Sequence, residues 1–190
     1  MNLDRLTKQV VRIVKNASKL YHNQKFFEVV ERHKYERDDV TNNDISTQAY
    51  LEKKLLKLIP NSSFVGEEGS SGSEEDNGYV WIIDPIDGTQ NYKKSIPLYG
   101  TQLALQYNKK TILSVIYFPV DRQMYVATPS GSTLNGRPIK VSSETDLKWS
   151  SACICNYRWY IEIEDKYKIE HKLVSTLKTV RLLGCSALNY

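Results

Sequence analysis

Two carboxylates, a hydroxyl and a sharply turning backbone occur together at residues 84–89 (DPIDGT). Pro85 fixes φ and lacks an N–H, so the strand before it is expected to end there in a turn. Such a turn can bring Asp87 to the same side as Asp84 and can aim the Ile86 carbonyl inward. These are hard oxygen ligands, which suit Mg²⁺ rather than zinc. The segment therefore predicts a magnesium site.

The last two residues of this segment predict a place for a phosphate group. Gly88 has no Cβ, so the backbone there can approach a ligand closely. A helix that begins at Gly88 and Thr89 would direct free N–H groups and the positive end of its dipole at an anion. Glu67 follows a predicted strand at residues 63–65. A lone loop acid is more commonly solvated, but beside two crowded aspartates Glu67 is predicted to be a further cation ligand.

An aspartyl-phosphate enzyme is a competing interpretation of the same residues. Haloacid-dehalogenase-like phosphatases carry Asp-x-Asp-Gly-Thr, in which the first aspartate becomes phosphorylated. Here two residues, not one, separate Asp84 from Asp87, and two helices and a strand are predicted before them. A covalent intermediate on Asp84 is therefore not expected.

Two helices are predicted to precede the sheet that carries this segment. Apolar residues recur at three- and four-residue steps over residues 3–21, with basic residues between them, which predicts an amphipathic helix with a solvated basic face. A membrane-surface role for that face is the less common alternative. Thr41 and Asp44 predict the N-terminal cap of a second helix that ends before Pro60. Its buried face is predicted to hold Ile45, Ala49, Leu55, Leu56 and Ile59.

Strand patterns begin at residue 63, where the hydrophobic period changes. Strands are predicted at residues 63–65, 79–84, 101–107, 111–118 and 124–128, and the short connections after residue 101 favour an antiparallel meander. The strand before Asp84 is apolar enough to be buried on both faces. Residues 66–78 are predicted to form a polar loop, and Asn135-Gly136 predicts a hairpin turn.

A second unit is predicted over residues 147–190, after a first domain at residues 1–146. A strand at residues 151–155, a helix at 169–178 and a strand at 180–183 give β-α-β order. The predicted fold class is therefore an α+β or α/β layered sandwich, with two N-terminal helices on an antiparallel sheet followed by the start of a second α/β unit. The chain ends where a further helix would begin, so we expect a truncated chain or a short member that completes its core by association.

Composition excludes several other functional classes. The 190 residues are 41% hydrophobic and 25% charged with a formal net charge of +4, which is typical of a globular protein. The basic residues form no block typical of nucleic-acid binding, and the 13 tyrosines more commonly fill strand faces than stack on bases. Three cysteines fit neither a disulfide framework nor a zinc site, and the sequence shows no signal peptide or membrane span. We expect a cytoplasmic protein without nucleic-acid or membrane partners.

Five sequence elements together resemble the inositol monophosphatase family, within the wider group of lithium-sensitive, Mg²⁺-dependent phosphatases. They are residues 38–44 (DDVTNND), 66–68 (GEE), 81–92 (WIIDPIDGTQNY), 134–142 (LNGRPIKVS) and 181–188 (RLLGCSAL). The third element is highly specific because it matches the family signature almost residue for residue. The resemblance extends over nearly the whole chain.

The resemblance implies a site for two or three Mg²⁺ ions. Glu67, Asp84 and the Ile86 carbonyl would hold one ion, and Asp84 and Asp87 would share a second. Glu67 and Thr89 would orient a metal-activated water for in-line attack on phosphorus, without a covalent intermediate. Asp44 would accept a hydrogen bond from Thr89. The substrate would contact Asp87, Gly88, Thr89, Gly184 and Ser186.

The chain also departs from the family pattern. The family's late Trp-Asp element, whose aspartate completes the second metal site, would lie beyond Tyr190. Residues 156–159 (NYRW) stand where a small-residue loop is expected, and His33 stands near the place of the family's early lysine.

The resemblance implies hydrolysis of a small phosphomonoester, with inositol monophosphate as the default substrate and a homodimer as the default assembly. One alternative is a relative that acts on fructose 1,6-bisphosphate or 3′-phosphoadenosine 5′-phosphate. The other is a weakly active or inactive metal-binding module that works through association, since a two-metal site that lacks one ligand clamps its ions poorly.

Overall fold

The computed structural model describes residues 2–22, 28–32, 39–72, 78–154 and 163–189. The helices are α1 Leu3–Ala17, α2 Lys19–His22, α3 Asn42–Leu58, α4 Thr89–Lys93 and α5 Ile163–Thr176. The strands are β1 Val29–Arg32, β2 Asp39–Thr41, β3 Ser63–Gly66, β4 Gly69–Ser71, β5 Tyr79–Asp87, β6 Gly100–Tyr107, β7 Lys110–Phe118, β8 Gln123–Thr128, β9 Gly131–Leu134, β10 Arg137–Ile139, β11 Ser151–Ile154 and β12 Thr179–Leu182. The sequence features at His33, Asp38 and residues 156–159 lie outside the described residues.

The predicted amphipathic helix at the N-terminus is confirmed, but it is two helices rather than one. Asn2 caps α1 by accepting a hydrogen bond from the Arg5 N–H at 3.0 Å. The helix ends at Ser18, whose hydroxyl donates back to the Lys15 carbonyl and whose side chain is buried. A side-chain hydroxyl that bonds to its own helix backbone competes with helix propagation. The short helix α2 then carries the buried Tyr21 toward the sheet.

The predicted cap of α3 is confirmed, whereas the predicted buried face is wrong in part. Thr41 and Asp44 form a capping box. Ile45 is 43% exposed, and the buried positions in the first turns are polar instead, including Asn43 and Gln48. Both have partners: Asn43 donates to the Tyr92 hydroxyl, and Gln48 accepts from the backbone of residue 68. Because hydrogen-bonded polar groups face inward here, apolar periodicity alone misplaces the face.

The central sheet has eight strands in the order β10-β9-β8-β7-β6-β5-β3-β4. Neighbouring strands are antiparallel, as the meander prediction required, except that β3 runs parallel to β5. The region predicted as a loop at residues 66–78 contains the short strand β4. One sheet face packs against α1 and α3 in a shared apolar core. The parallel pairing of β3 with β5 places the carboxyl end of β3 beside Ile83, one residue before Asp84.

Strand β5 differs from its prediction in two respects. It is buried on one face only, since Trp81 and Ile83 are buried while Ile82 is 38% exposed. It also does not end at Pro85 but continues to Asp87 through an irregularity in its pairing with β6. Proline can occupy a bulge because the missing N–H leaves no ladder bond unmade there.

The β-α-β order predicted after residue 147 is confirmed, with β11 and β12 parallel and α5 between them in sequence. Helix α5 begins at Ile163, earlier than the predicted residue 169. The sequence pattern also missed the antiparallel pair of β1 and β2. In the described residues, none of the helices is long and apolar enough to cross a membrane.

Candidate metal and phosphate site

Two acidic side chains meet where β3 ends beside β5. Glu67 directly follows β3, and its N–H donates to the Ile83 carbonyl of β5 at 3.2 Å. Asp84 is the next residue of β5, and its carboxyl group shares a hydrogen bond with that of Glu67. The parallel pairing of the two strands therefore brings Glu67 and Asp84 together, as the sequence predicted.

The environment of Asp84 is suited to a cation. Burial raises the pKa of the Asp84 carboxyl well above its usual value, and the negative charges of Glu67, Asp87 and Asp44 raise it further. Its Oδ1 atom is buried and makes no hydrogen bond. A buried oxygen without a partner, among like charges, is the place where a divalent cation would restore the balance. The oxygen donors here fit Mg²⁺.

Asp87 is engaged by the chain itself. Its Oδ1 accepts from the Ser186 N–H at 3.0 Å, and its Oδ2 accepts from the Ala187 N–H at 2.5 Å and from the Cys185 thiol at 3.1 Å. Burial, then the charge of Asp87, raise the pKa of that thiol, so it remains a neutral donor. Within the described parts of the chain, no three His, Cys, Asp or Glu side chains already have the spacing of a metal cluster. A carboxylate has further lone pairs, so the metal role of Asp87 stays a prediction.

Gly88 and Thr89 form the turn into helix α4, as predicted. Gly88 has a φ of +84°, and a Cβ there would lie 2.8 Å from the Leu98 carbonyl oxygen. Both facts restrict the position to glycine. Helix α4 begins at Thr89 and has five residues. The Thr89 hydroxyl donates to the Ile86 carbonyl at 3.0 Å, which places these two predicted site groups together.

Asp44 lies at the start of α3, near enough to Asp84 to affect its pKa. Its carboxylate accepts hydrogen bonds from the Thr41 N–H at 2.9 Å and from the Thr41 hydroxyl. The Thr89 hydroxyl donates to Ile86 in this structure, so a hydrogen bond from Thr89 to Asp44 during catalysis stays a prediction.

The segment that contains Gly184 and Ser186 also reaches the turn. Gly184 has a φ of +66°, and Ser186 accepts a hydrogen bond from Gln102 Nε2 at 2.7 Å. The Asn91 side chain of α4 donates to the Leu183 carbonyl at 2.7 Å and to the Leu98 carbonyl at 2.8 Å. The structure therefore brings all the sequence-predicted site residues to one region.

Sequence reasoning missed several residues that support this region. Cys185 fitted no disulfide or zinc pattern in the sequence, yet its buried thiol bonds to Asp87. Lys93 forms an ion pair with Asp39, which ties α4 to β2. Side-chain partners that lie far apart in sequence leave no local pattern. The only signal of such a supporting residue was the position of Asn91 inside the family-like segment at residues 81–92.

The fold and the site define a layered α/β protein with an acidic centre suited to bind a cation, at the carboxyl end of β3. The chain belongs to the inositol monophosphatase family, whose family model matches residues 2–190.

Individual relatives agree with this assignment. The chain is 31% identical over 154 residues to a fructose-1,6-bisphosphatase/inositol-1-monophosphatase of Thermotoga maritima. The aligned region covers 80% of this chain and 57% of that protein. It therefore spans little more than half of that relative. A solved inositol monophosphatase (IMPase) structure from Thermotoga maritima has a TM-score of 0.84 at 26% identity, over 98% of this chain and 70% of that one. An IMPase/NADP phosphatase structure with Mg²⁺ and phosphate has a TM-score of 0.77 at 26% identity, over 98% and 68% of the two chains. These matches confirm the layered fold class.

Proposed function

We propose that this protein hydrolyses a small phosphomonoester with Mg²⁺ and water, and that inositol monophosphate is its default substrate. The observation that carries the proposal is the buried, unpartnered Oδ1 of Asp84, next to Glu67 and four residues before the glycine turn at Gly88. The names of the relatives support the substrate class, since they refer to inositol 1-phosphate and fructose 1,6-bisphosphate. The relative solved with Mg²⁺ and phosphate supports the metal.

Each site residue has a role in this proposal. Glu67, Asp84 and the Ile86 carbonyl would bind one Mg²⁺, and Asp84 and Asp87 would share another. When bound, Mg²⁺ lowers the pKa of a coordinated water and neutralises charge on the attacking and leaving oxygens. Glu67 and Thr89 would orient that water, and the buried Asp44 would keep Thr89 in place. The oxygen of the water, not a side chain, would form the new bond to phosphorus as the ester P–O bond breaks, and the alcohol would leave with one proton of the water.

The remaining roles concern the substrate. The backbone N–H groups at Gly88 and Thr89 would bind phosphate oxygens, where the positive φ of Gly88 opens the backbone to a ligand. Gly184 and Ser186 would lie beside the alcohol part, because hydrogen bonds from residues 185–187 hold that segment against Asp87.

Phosphate release tests the activity. With Mg²⁺, we expect turnover of inositol 1-phosphate, inhibition by lithium, and a loss of at least about 100-fold in Asp84→Asn, because one ligand common to both ions is weakened. Fructose 1,6-bisphosphate and 3′-phosphoadenosine 5′-phosphate in the same assay decide the substrate. Asp121→Asn is the matched control, since this exposed aspartate lies in the turn between β7 and β8. If none of these esters releases phosphate with Mg²⁺, the proposal is wrong for this chain.

A second candidate is a metal-binding module with little or no turnover. The observation that favours it is the engagement of Asp87, since both carboxylate oxygens already accept hydrogen bonds from residues 185–187. Three donors then take most of the roughly four lone-pair sites of the carboxylate, so it has little left for a second ion. Calorimetry that finds a single weak Mg²⁺ site, with no phosphate release, would favour this candidate. Light scattering in the same buffer tests the proposed homodimer.

A further inference from the structure

The backbone that presents the Ile86 carbonyl is a bulge in strand β5. Asp84 pairs with Gln102 of β6, and Asp87 pairs with Gly100. Pro85 and Ile86 therefore both lie opposite one residue, Thr101. A bulge of this kind removes backbone groups from the ladder and re-aims them, and bulges are common beside functional sites. The groups that leave the ladder need other partners, because buried backbone polar groups are rarely left unpaired.

Thr101 supplies one of these partners through its side chain. Its hydroxyl donates to the Pro85 carbonyl at 2.8 Å, and both groups are buried. The same Thr101 oxygen lies 2.8 Å from the Tyr21 hydroxyl. A threonine hydroxyl has a single proton, and a carbonyl can only accept. The direction is therefore fixed: Tyr21 donates to Thr101, and Thr101 donates to Pro85.

Tyr21 is itself held on several sides. Its side chain is fully buried, and its ring makes edge contacts with the rings of Tyr92 and Tyr99 at 5.9 and 6.1 Å between centroids. The Tyr92 hydroxyl donates to the Tyr21 backbone carbonyl at 3.2 Å and accepts from Asn43 at 2.6 Å. Burial raises the pKa of the Tyr21 hydroxyl, so it remains protonated and able to donate. Helices α2, α3 and α4 thus fix one end of the chain of hydrogen bonds.

We propose that Thr101 and Tyr21 are positioning residues that set the backbone of the metal-binding turn. Because a peptide unit is planar, fixing the Pro85 carbonyl fixes the peptide plane between Pro85 and Ile86. That plane lies between the side chain of Asp84 and the carbonyl of Ile86, two groups assigned to the same ion. The inference rests on the proposed function for the identity of the ion, but not for the hydrogen bonds themselves.

The variants follow from the direction of these bonds. Thr101→Val keeps the shape but leaves both the Pro85 carbonyl and the Tyr21 hydroxyl without a partner, so it should have the largest effect. Thr101→Ser restores the hydroxyl. Tyr21→Phe removes only the outer donor and should have a smaller effect. Ser62→Ala is the matched control, because the buried Ser62 hydroxyl also makes two hydrogen bonds: it donates to the Ile59 carbonyl and accepts from the Trp81 side chain. Trp81 lies on β5 but before the site residues.

Hydrogen exchange of the metal-free protein, followed by mass spectrometry, tests the positioning without the ion. We expect exchange of peptides that cover residues 84–91 to rise about tenfold in Thr101→Val, the scale of one lost buried hydrogen bond. Thr101→Ser should remain close to the wild type. Ser62→Ala should leave the exchange of these peptides unchanged, even if it lowers the unfolding midpoint as much as Thr101→Val does. Unchanged exchange in Thr101→Val would overturn the proposal.

Titration of the same proteins with MgCl₂ by calorimetry tests the consequence for the ion. The Kd for Mg²⁺ should rise about fivefold to tenfold in Thr101→Val, and the double variant with Tyr21→Phe should add nothing further, because Tyr21 acts through Thr101. An unchanged Kd in Thr101→Val, with normal Mg²⁺ binding by the wild type, overturns the proposal. If the wild type itself binds no Mg²⁺, the proposed function fails, and the exchange comparison still decides whether Thr101 holds the turn.

Discussion

At the scale of single residues, Asp84 combines two opposing properties. Its carboxyl group is crowded by Glu67 and Asp87, and one of its oxygens has no partner. Without a cation this arrangement favours the neutral form of the Asp84 carboxyl group. When a cation is bound, the carboxylate becomes a strong ligand. The residue that we assign to the chemistry is therefore also a source of instability in the metal-free protein.

The stability of the metal-free protein should show this directly. Because folding raises the pKa of Asp84, the folded state binds its proton more tightly than the unfolded state. The stabilisation from that proton is complete below the unfolded pKa and is lost as the pH rises through the folded pKa. Asp84→Asn removes this loss, so at pH 8 in EDTA it should unfold about 2–4 °C above the wild type, with a smaller difference at pH 4.

Asp121→Asn serves as the control, since this exposed aspartate should leave the pH profile of the wild type unchanged. Addition of Mg²⁺ should reverse the order of wild type and Asp84→Asn at pH 8. A pH-independent difference between the two melting temperatures would contradict the assigned role of the buried charge.

The proximity of the candidate site residues was largely predictable because most of them are close in sequence or follow paired strands. Asp84, Gly88 and Thr89 are close in sequence, so one turn positions them. The roles of Thr101 and Cys185 were not predictable, because their partners lie 16 and 98 residues away in the sequence. Nothing in the local sequence distinguishes them from other threonines and cysteines. Only the pairing of strands reveals that Thr101 lies opposite the bulge.

At the scale of elements, the first turn of α3 supports the site from behind. Thr41 is fully buried, and its hydroxyl and N–H both bond to Asp44. The cap was visible in the sequence, since its residues are three apart. The rotation of the helix was not, because Asn43 and Gln48 are buried through hydrogen bonds that apolar periodicity cannot register. The strand end predicted at Pro85 was wrong for a different reason: proline was expected to stop β5 but lies in a bulge within it.

Removal of this cap should destabilise the whole fold. Thr41→Ala removes the hydroxyl that accepts from the Asp44 N–H and donates to the Asp44 carboxylate, while the backbone N–H of residue 41 still donates to that carboxylate. We expect a loss of about 1–2 kcal/mol in the free energy of unfolding, measured by urea denaturation in EDTA. Thr41→Ser keeps the hydroxyl and should lose less than about 1 kcal/mol, the value of one buried methyl group.

The cap of α1 offers a comparison within the same chain. Asn2 is exposed, so Asn2→Ala should cost only about 0.5 kcal/mol, the low end for caps. Equal losses in Thr41→Ala and Asn2→Ala would show that burial adds nothing to the capping box, contrary to our interpretation.

At the scale of the whole molecule, the part of the chain after residue 147 meets the sheet through polar contacts at the site and through an apolar cluster of Phe118, Cys185 and Ala187. We propose that residues 1–146 and 147–190 are two structural units. Their contact includes the bonds from Cys185, Ser186 and Ala187 to Asp87, and the bond from Asn91 to Leu183. The substrate site would then lie where the units meet, and Asp87 would serve both its chemistry and the docking of the second unit.

Asp87→Ala should therefore loosen the second unit as well as weaken Mg²⁺ binding. The substitution leaves the N–H groups of Ser186 and Ala187 without their charged acceptor, and each such bond contributes about 1.5–3 kcal/mol. In metal-free buffer we expect faster hydrogen exchange in peptides that cover residues 183–189, with little change in β7. Gln102→Ala, which removes one contact to Ser186 and leaves Asp87 in place, should produce a clearly smaller increase. Equal exchange in the two variants would mean that Asp87 does not hold the units together, and its carboxylate would then be available to the ion alone.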